Sequence, residues 1–222
     1  MPSKVLAGME WARDNLPKDM WVGSADDDFL VDMTRFTKQY NNIITNTTIA
    51  RKKFITDRIQ YSGKQRLSEC PPYFPFCLEG MQNRTNLQTV PMICLFRRGE
   101  LEEVNRQQGS KWFVSRNKYS HDVYPRYCHG GFYIMPLELS NELLTASYTA
   151  PMLRLDDVWI TGILRLRAGI PDYLVQGIDF LAEHYGPREK KENMVPRMQR
   201  DWINIYGNMT SQSSNKICKC SL

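Results

Sequence analysis

The 222-residue sequence lacks the features that most directly assign a chain to a functional class. No run approaches the roughly 18 consecutive apolar residues of a membrane-spanning helix, and the first residues lack the basic region and apolar core of a signal peptide. No Cys-x-x-Cys pair is present, which argues against zinc fingers and iron–sulfur clusters. The 29 basic and 24 acidic residues are spread along the chain without a basic block, so the sequence predicts no nucleic-acid partner.

What remains is the composition of a globular domain. With 42% hydrophobic and 24% charged residues, the chain can bury a core, and its 26.0 kDa fits one α/β domain or the larger part of one. We expect this domain to span residues 1–206, with an insertion or long surface excursion at about 41–90. Residues 207–222 are rich in Ser, Asn and Lys and predict a polar C-terminal tail.

Cysteines and glycosylation signals both favour the secretory pathway. The six cysteines are interpreted as disulfide-forming, for example Cys70 with Cys77 within one loop. Three Asn-x-Ser/Thr sequons in segments predicted to be polar loops indicate N-glycosylation at Asn46, Asn83 and Asn208. Because a lumenal protein needs a targeting signal and none is visible, we expect the chain to be a piece of a longer protein.

Hydrophobic periodicity outlines alternating helices and strands. Apolar residues at helical spacing predict helices at about 5–16, 29–40, 136–147 and 156–168. Short apolar or aromatic runs predict strands at 20–25, 91–96, 111–115 and 131–135. We expect the first strand to be buried and central, and Gly169 to end the last helix. The alternation indicates an α/β fold.

The Asp26-Asp27-Asp28 triplet follows the first predicted strand and is a candidate cation site. In extended backbone the side chains of Asp26 and Asp28 point to one side while Asp27 faces away. Two carboxylates at the carboxyl end of a strand can hold a hard divalent cation and leave coordination positions for phosphate oxygens. The alternative is a solvated turn in which an Asp caps the following helix, and spacing alone does not separate the two.

A second acidic pair, Asp156-Asp157, opens the last predicted helix. Helix-end amides favour carboxylates, so capping alone explains both residues. The functional alternative is that Asp157 points into a cleft as a general base. The two roles are compatible, since Asp156 can cap while Asp157 accepts a proton.

Three further motifs follow the Asp triplet in order. They are Ser110-Lys111-Trp112-Phe113-Val114-Ser115, Tyr124-Pro125-Arg126-Tyr127-Cys128-His129-Gly130-Gly131-Phe132-Tyr133 and Asp156-Asp157-Val158-Trp159-Ile160-Thr161-Gly162. With the triplet they resemble the family-31 glycosyltransferases, the Golgi β-1,3-galactosyltransferases and β-1,3-N-acetylglucosaminyltransferases, over about residues 4–171. Phe113 stands where the family usually has Tyr, and Asp156 where it has Glu. Ser24 or Ala25 stands where the family usually has a Lys before the triplet.

The resemblance implies a GT-A-like fold, a Rossmann-type mixed sheet flanked by helices that is incomplete here at its N-terminus. It implies that Asp26 and Asp28 bind Mn²⁺. It also implies that Asp27, Lys111 and Trp112 join these two residues in binding the nucleotide-sugar.

The resemblance further implies that Asp157 is the catalytic base. The substrate-binding positions that it implies are Tyr124, Pro125, Gly130, Gly131 and Asp156. The family usually places a metal-binding His downstream of its last motif, and His184 is the candidate, although its surroundings match the family pattern poorly. His121 and His129 are expected to be bystanders.

The expected activity is that of a metal-dependent, inverting hexosyltransferase. It would move galactose, or N-acetylglucosamine, from a UDP-sugar to a sugar 3-hydroxyl of a glycoprotein or glycolipid on the lumenal side of the Golgi. Family members carry an N-terminal membrane anchor and uridine-binding strands, which we expect to precede Met1 in a longer protein. The alternative is a truncated or non-catalytic member that binds another glycosyltransferase.

Overall fold

The computed structural model describes residues 2–26, 29–60, 92–94, 102–177, 182–184 and 191–207. The helices are α1 (Pro2–Asn15), α2 (Met33–Gln60), α3 (Leu137–Ser147), a π-helix (Val158–Leu164) continued by α4 (Arg165–Arg167), and α5 (Lys191–Tyr206). The strands are β1 (Trp21–Ala25), β2 (Phe29–Val31), β3 (Met92–Cys94), β4 (Phe132–Pro136), β5 (Val175–Gly177) and β6 (Ala182–His184). No helix within these ranges combines the length and apolar character that a membrane crossing requires.

Four strands form a mixed sheet in the order β1-β4-β3-β5, and β2 pairs separately with β6. Strand β4 is antiparallel to both of its neighbours, whereas β3 and β5 are parallel. Gly23 of β1 lies opposite Ile134 of β4, and a side chain on Gly23 would overlap the Tyr133 carbonyl. Glycine therefore permits the close approach of β1 to β4 that brings Asp26, the first residue of the triplet, to the start of β4.

Side chains alternate across the sheet and meet helices on both sides. Ile93 and Ile134 on one face form a cluster with Phe36 and Ile43 of α2. The opposite face belongs to a larger core that includes Met92, Cys94, Tyr133 and Met135 from the strands and Met9, Leu139, Leu143 and Val158 from the helices. The predicted layered α/β fold, a mixed sheet flanked by helices, is confirmed.

The first part of the chain differs from the prediction in the type of one element and the length of another. Phe29 begins a strand rather than a helix, and α2 begins at Met33 because Asp32 Oδ1 accepts a hydrogen bond from the Arg35 amide, 2.8 Å, as an N-cap does. Helix α2 then runs to Gln60, so residues 41–60 of the predicted surface excursion are helical. Residues 61–91 lie outside the described residues.

Residues 111–115 form turns rather than the predicted strand. Gly109 adopts a φ of 84°, and the Ser110 side chain accepts from the Trp112 amide at 3.1 Å while its carbonyl accepts from the Phe113 amide at 3.1 Å. These local hydrogen bonds override the aromatic and β-branched composition of the run. The prediction for β1 also needs correction, because it is an outer, half-exposed strand of the described sheet rather than a central one.

A disulfide that the sequence did not predict joins Cys94 at the end of β3 to Cys128 before β4, with Cα atoms 5.4 Å apart. Both cysteines are buried. The bond holds the segment leading to Gly130 against the central sheet. The predicted pair Cys70 and Cys77 lies outside the described residues.

The chain after Pro171 contains more regular structure than its polar composition predicts. Strand β5 is parallel to β3, and α5 is tied to the domain by Tyr206, whose hydroxyl donates to the Val31 carbonyl and accepts from the Met33 amide. Asn46 is exposed on helix α2 and not in the predicted loop. The sequons at Asn83 and Asn208, and the tail from residue 208, lie outside the described residues.

Candidate active site

The β1–β4 pairing brings the start of the Asp triplet close to the second acidic pair. The Asp26 amide donates to the Gly131 carbonyl at 2.9 Å, which extends the strand ladder by one residue. The adjacent Gly130 amide donates to Asp157 Oδ2 at 3.0 Å. Two consecutive glycines thus connect Asp26 with Asp157.

Each of these glycines has a structural reason. Gly131 has a φ of 119°, and a β-carbon there would overlap the ring of Phe29, the first residue after the triplet. A β-carbon on Gly130 would lie 3.1 Å from Asp157 Oδ2, so a side chain there would crowd the carboxylate. The two positions therefore require close backbone approach, which glycine allows.

The register of β2 and β6 places His184 directly opposite Phe29. The backbone of His184 therefore lies beside Phe29, the residue that follows the Asp triplet in the sequence. Asp27 and Asp28 lie outside the described residues. Within the described part of the chain, no group of three or more His, Cys, Asp or Glu side chains is arranged to hold a metal ion.

Asp157 is the N-cap of the π-helix. Its Oδ1 accepts from the Val158 amide at 2.8 Å while Oδ2 accepts from Gly130. Its main-chain carbonyl accepts from Thr161 Oγ1 at 2.6 Å, and that hydroxyl accepts from the Cys128 amide at 2.8 Å. We expected Asp156 to be the N-cap and Asp157 to be the base. The expected cap is wrong, because Asp157 itself is the N-cap.

The environment of Asp157 makes its carboxylate a better proton acceptor. Burial raises the pKa of Asp157, and the negative charge of Asp156 adds to the rise. Hydrogen bonds from the Val158 and Gly130 amides and the nearby His129 imidazole oppose it without reversing it. Since a base is most effective when its pKa approaches the working pH, this shift favours proton acceptance.

The surroundings of Tyr133 indicate that three of the predicted acidic residues lie near one another. Burial raises the pKa of the Tyr133 hydroxyl, and the negative charges of Asp156, Asp157 and Asp26 raise it further. A hydrogen bond with Ser24, the residue two before Asp26, acts in the opposite direction. The end of β1 and the start of the π-helix therefore form one acidic edge around this tyrosine.

On its other side, Asp157 lines a cleft of about 740 Å³. The cleft is bounded by residues 102–107, Trp112, Tyr124, Tyr127, His129, Leu155, Asp157 and Val158. Trp112 is 53% exposed, so it lies at the rim and not in the core, and Lys111 Nζ lies 4.5 Å from the centre of its ring. The cleft combines a half-buried carboxylate, aromatic faces and polar groups, which is the composition of a small-molecule site.

The cleft wall is a loop whose shape is fixed by one arginine. The ends of the loop pair through a bridge between Glu103 and Val123. Inside the loop, Arg106 donates to the carbonyl oxygens of Val114 at 2.7 Å and Tyr119 at 2.9 Å, and also to that of His121. The guanidinium thus replaces the strand ladder that the sequence predicted here.

Three cleft residues that the sequence analysis did not select form a contact group. The Tyr127 hydroxyl donates to Glu102 Oε2 at 2.6 Å, and His129 Nε2 lies 3.6 Å from the same oxygen. The Tyr127 and His129 rings pack with centroids 5.2 Å apart. His129, which was expected to be a bystander, therefore lies in the lining of the cleft and in contact with Tyr127 and Glu102.

The predicted substrate residues divide between the cleft and its support. Tyr124 lines the cleft, and burial raises the pKa of its hydroxyl to about 12. Pro125 is buried behind it, where it faces Gly162 of the π-helix. Gly130 and Gly131 act through their backbone, as described above.

Comparison with known proteins matches residues 78–175 to the galactosyltransferase family. Human beta-1,3-galactosyltransferase 5 is 24% identical over 157 residues, which cover 71% of this chain and 36% of that protein. Beta-1,3-galactosyltransferase brn of Drosophila melanogaster is 27% identical over 167 residues, covering 75% of this chain and 38% of that protein.

A mouse acetylgalactosaminyl-O-glycosyl-glycoprotein beta-1,3-N-acetylglucosaminyltransferase is 27% identical over 101 residues, covering 46% of this chain and 25% of that protein. The matches thus include relatives named for two different transferred sugars. The chain spans well under half of the length of these relatives.

Proposed function

We propose that the chain is a member of the galactosyltransferase family, the family-31 glycosyltransferases, and that it is an inverting hexosyltransferase. It moves galactose, or N-acetylglucosamine, from a UDP-sugar to a 3-hydroxyl of a sugar on a glycoprotein or glycolipid. The observation that carries the proposal is the half-buried Asp157 carboxylate, which has a raised pKa and lines the cleft of about 740 Å³ together with Tyr124 and Trp112.

The reaction that this arrangement supports is a single displacement. The acceptor 3-oxygen bonds to the anomeric carbon on the face opposite UDP, and the bond from that carbon to the diphosphate oxygen breaks. UDP leaves with the electron pair, and the proton of the 3-hydroxyl moves to Asp157. The Gly130 and Val158 amides hold the carboxylate in orientation while it accepts the proton.

We further propose that a divalent cation, Mn²⁺, is held by Asp26 and Asp28 of the triplet. Carboxylates such as those of Asp26 and Asp28 are ligands that Mn²⁺ prefers, and the pairing of His184 with Phe29 supports His184 as a further ligand. When bound, the cation supplies positive charge that stabilises the departing diphosphate. Asp27, Lys111 and Trp112 would complete the nucleotide-sugar side of the site.

The Cys94–Cys128 bond supports a location in an oxidising compartment, since disulfides persist mainly in the secretory pathway. We place the protein on the lumenal side of the Golgi, where UDP-sugars and glycoconjugate acceptors meet. N-glycosylation at Asn46, Asn83 and Asn208 would agree with this location. Treatment with an N-glycosidase and a shift in electrophoretic mobility tests it.

The decisive experiment compares two aspartates in the same chain. Incubated with UDP-galactose or UDP-N-acetylglucosamine, Mn²⁺ and a panel of methyl glycosides, Asp157→Asn should lower turnover by roughly 10²–10⁴-fold, whereas Asp156→Asn keeps most of it. Equal activity of Asp157→Asn and the unsubstituted chain would refute the base assignment. Folded protein that neither forms product nor binds UDP with Mn²⁺ in a calorimetric titration would support the non-catalytic alternative.

A further inference from the structure

Three buried side-chain atoms of residues that line the cleft have no hydrogen-bond partner among the described residues. They are Arg106 Nε, the Tyr124 hydroxyl and His129 Nε2. All three residues line the cleft that contains Asp157. Because buried donors in proteins are nearly always satisfied, their concentration in one cleft indicates a ligand that brings acceptor oxygens to them.

Neighbouring residues orient the His129 ring but form no hydrogen bond with its Nε2. Its Nε2 lies 3.6 Å from Glu102 Oε2, which is longer than a hydrogen bond. Glu102 is held by the Tyr127 hydroxyl, and the Tyr127 ring packs against the imidazole. The imidazole therefore has a fixed direction, and its Nε2 has no hydrogen-bond partner among the described residues.

We propose that His129 is a specificity-determining residue, which donates from Nε2 to an oxygen of the acceptor sugar next to the hydroxyl that reacts. Glu102 and Tyr127 are positioning residues for this contact. The inference rests on the proposed function and adds to it the residue that recognises the acceptor.

The chemistry of the cleft indicates a neutral acceptor sugar. Glu102, Glu103 and Asp157 place three carboxyl groups around the space, and the terminal nitrogens of Arg106 are bound to loop carbonyls, so an acidic sugar would be repelled. The hydroxyls of a neutral pyranose can accept from His129 and donate to carboxylates at the same time.

A double-mutant cycle tests the contact by changing one group on the substrate and one residue of the protein. The full chain is assayed with methyl glycosides of galactose, N-acetylglucosamine and N-acetylgalactosamine and with their monodeoxy analogues. For one analogue, kcat/KM of the unsubstituted chain should fall about tenfold, and His129→Ala should lose this discrimination because the donor is gone. The acceptor KM should rise in His129→Ala.

Two variants complete this assay. His129→Gln retains an N–H donor and should recover part of the discrimination. His121→Ala removes an imidazole that packs on Tyr119 and is not part of the cleft lining, so it should leave acceptor KM unchanged. His129→Ala with the acceptor KM and the deoxy discrimination of the unsubstituted chain would overturn the proposal.

A binding measurement separates failure of this inference from failure of the proposed function. With the three histidines labelled for NMR, each methyl glycoside is added in the presence of UDP and Mn²⁺. The resonance that disappears in His129→Ala should shift, and the His121 resonance should not. Absence of a His129 shift with every glycoside overturns the inference. A His129 shift without transfer to any acceptor supports the sugar contact and overturns the catalytic proposal.

Discussion

Replacing Gly131 by alanine should destabilise the protein through two separable effects. The first is backbone strain, because a φ of 119° is unfavourable for any residue with a β-carbon and costs about 1–2 kcal/mol. The second is overlap of the new methyl group with the Phe29 ring, for which overpacking costs typically add about 1–3 kcal/mol. We therefore expect Gly131→Ala to reduce the free energy of unfolding by about 2–5 kcal/mol.

Gly109 provides a matched control. Its φ is also positive, at 84°, but no atom lies within 4 Å of the position a β-carbon would take. Gly109→Ala should therefore show only the strain, about 1–2 kcal/mol. In a Phe29→Ala background, the cost of Gly131→Ala should fall to the same value, because the ring that causes the overlap has been removed.

Urea unfolding followed by circular dichroism measures all four variants, the double variant included. If Gly131→Ala and Gly109→Ala cost the same, or if Phe29→Ala leaves the cost of Gly131→Ala unchanged, the contact between Gly131 and Phe29 does not constrain the site. The expected coupling matters for function because Phe29 directly follows the Asp triplet. Such coupling would show that the contact between Gly131 and Phe29 helps to position Asp26 near Asp156 and Asp157.

The remaining predictions concern the acidic site, the disulfide and a buried ion pair. The pKa of Asp157 is raised in the folded state, so its charged form opposes folding at neutral pH. This destabilisation disappears as the pH falls through the folded-state pKa towards the unfolded-state value near 3.9. Urea midpoints from pH 7 to pH 4 should accordingly rise for the unsubstituted chain relative to Asp157→Asn, and parallel curves would refute this. Because protonated Asp157 cannot accept the acceptor proton, kcat/KM should also fall as the pH drops through this raised pKa. Replacing Cys94 and Cys128 together by alanine should cost about 4 kcal/mol, as expected for a bond that closes 34 residues, and an unchanged urea midpoint would contradict it. Arg165 is fully buried and lies 2.7 Å from Asp172, so Arg165→Met should lower the free energy of unfolding by about 3–5 kcal/mol, measured by thermal and urea unfolding, and a loss below about 1 kcal/mol would exclude a structural ion pair.

Local patterns predicted the parts of the fold that depend on neighbours in sequence. Periodicity and residues with special backbone preferences predicted helices α1 and α3 and strands β3 and β4. They also predicted Gly169 as the residue that ends the helical segment before it. The motifs around Asp26 and Asp157 indicated the family for a similar reason, since each is a short run of fixed residue types. The sequence therefore determined the α/β fold class, and it indicated a family resemblance and a candidate base.

Tertiary structure decided which groups surround that base. Asp157 has its cap, its raised pKa and its orientation because Gly130 and Val158 amides meet it in a buried setting, and Gly130 is distant from it in sequence. The same holds for the Cys94–Cys128 bond and for the turns at residues 111–115, where Arg106 holds the loop from within. Contacts between distant residues leave no periodic signal in the chain.

The clearest case is His129. In the sequence it is one polar residue between Cys128 and two glycines, with nothing to distinguish it from a surface histidine. Folding places it against Tyr127 and beside Glu102, with a donor facing the cleft of Asp157. The sequence alone indicated which carboxylates are candidates for chemistry. Only the fold decided which polar groups line the cleft, because burial and hydrogen-bond partners are properties of the packed chain.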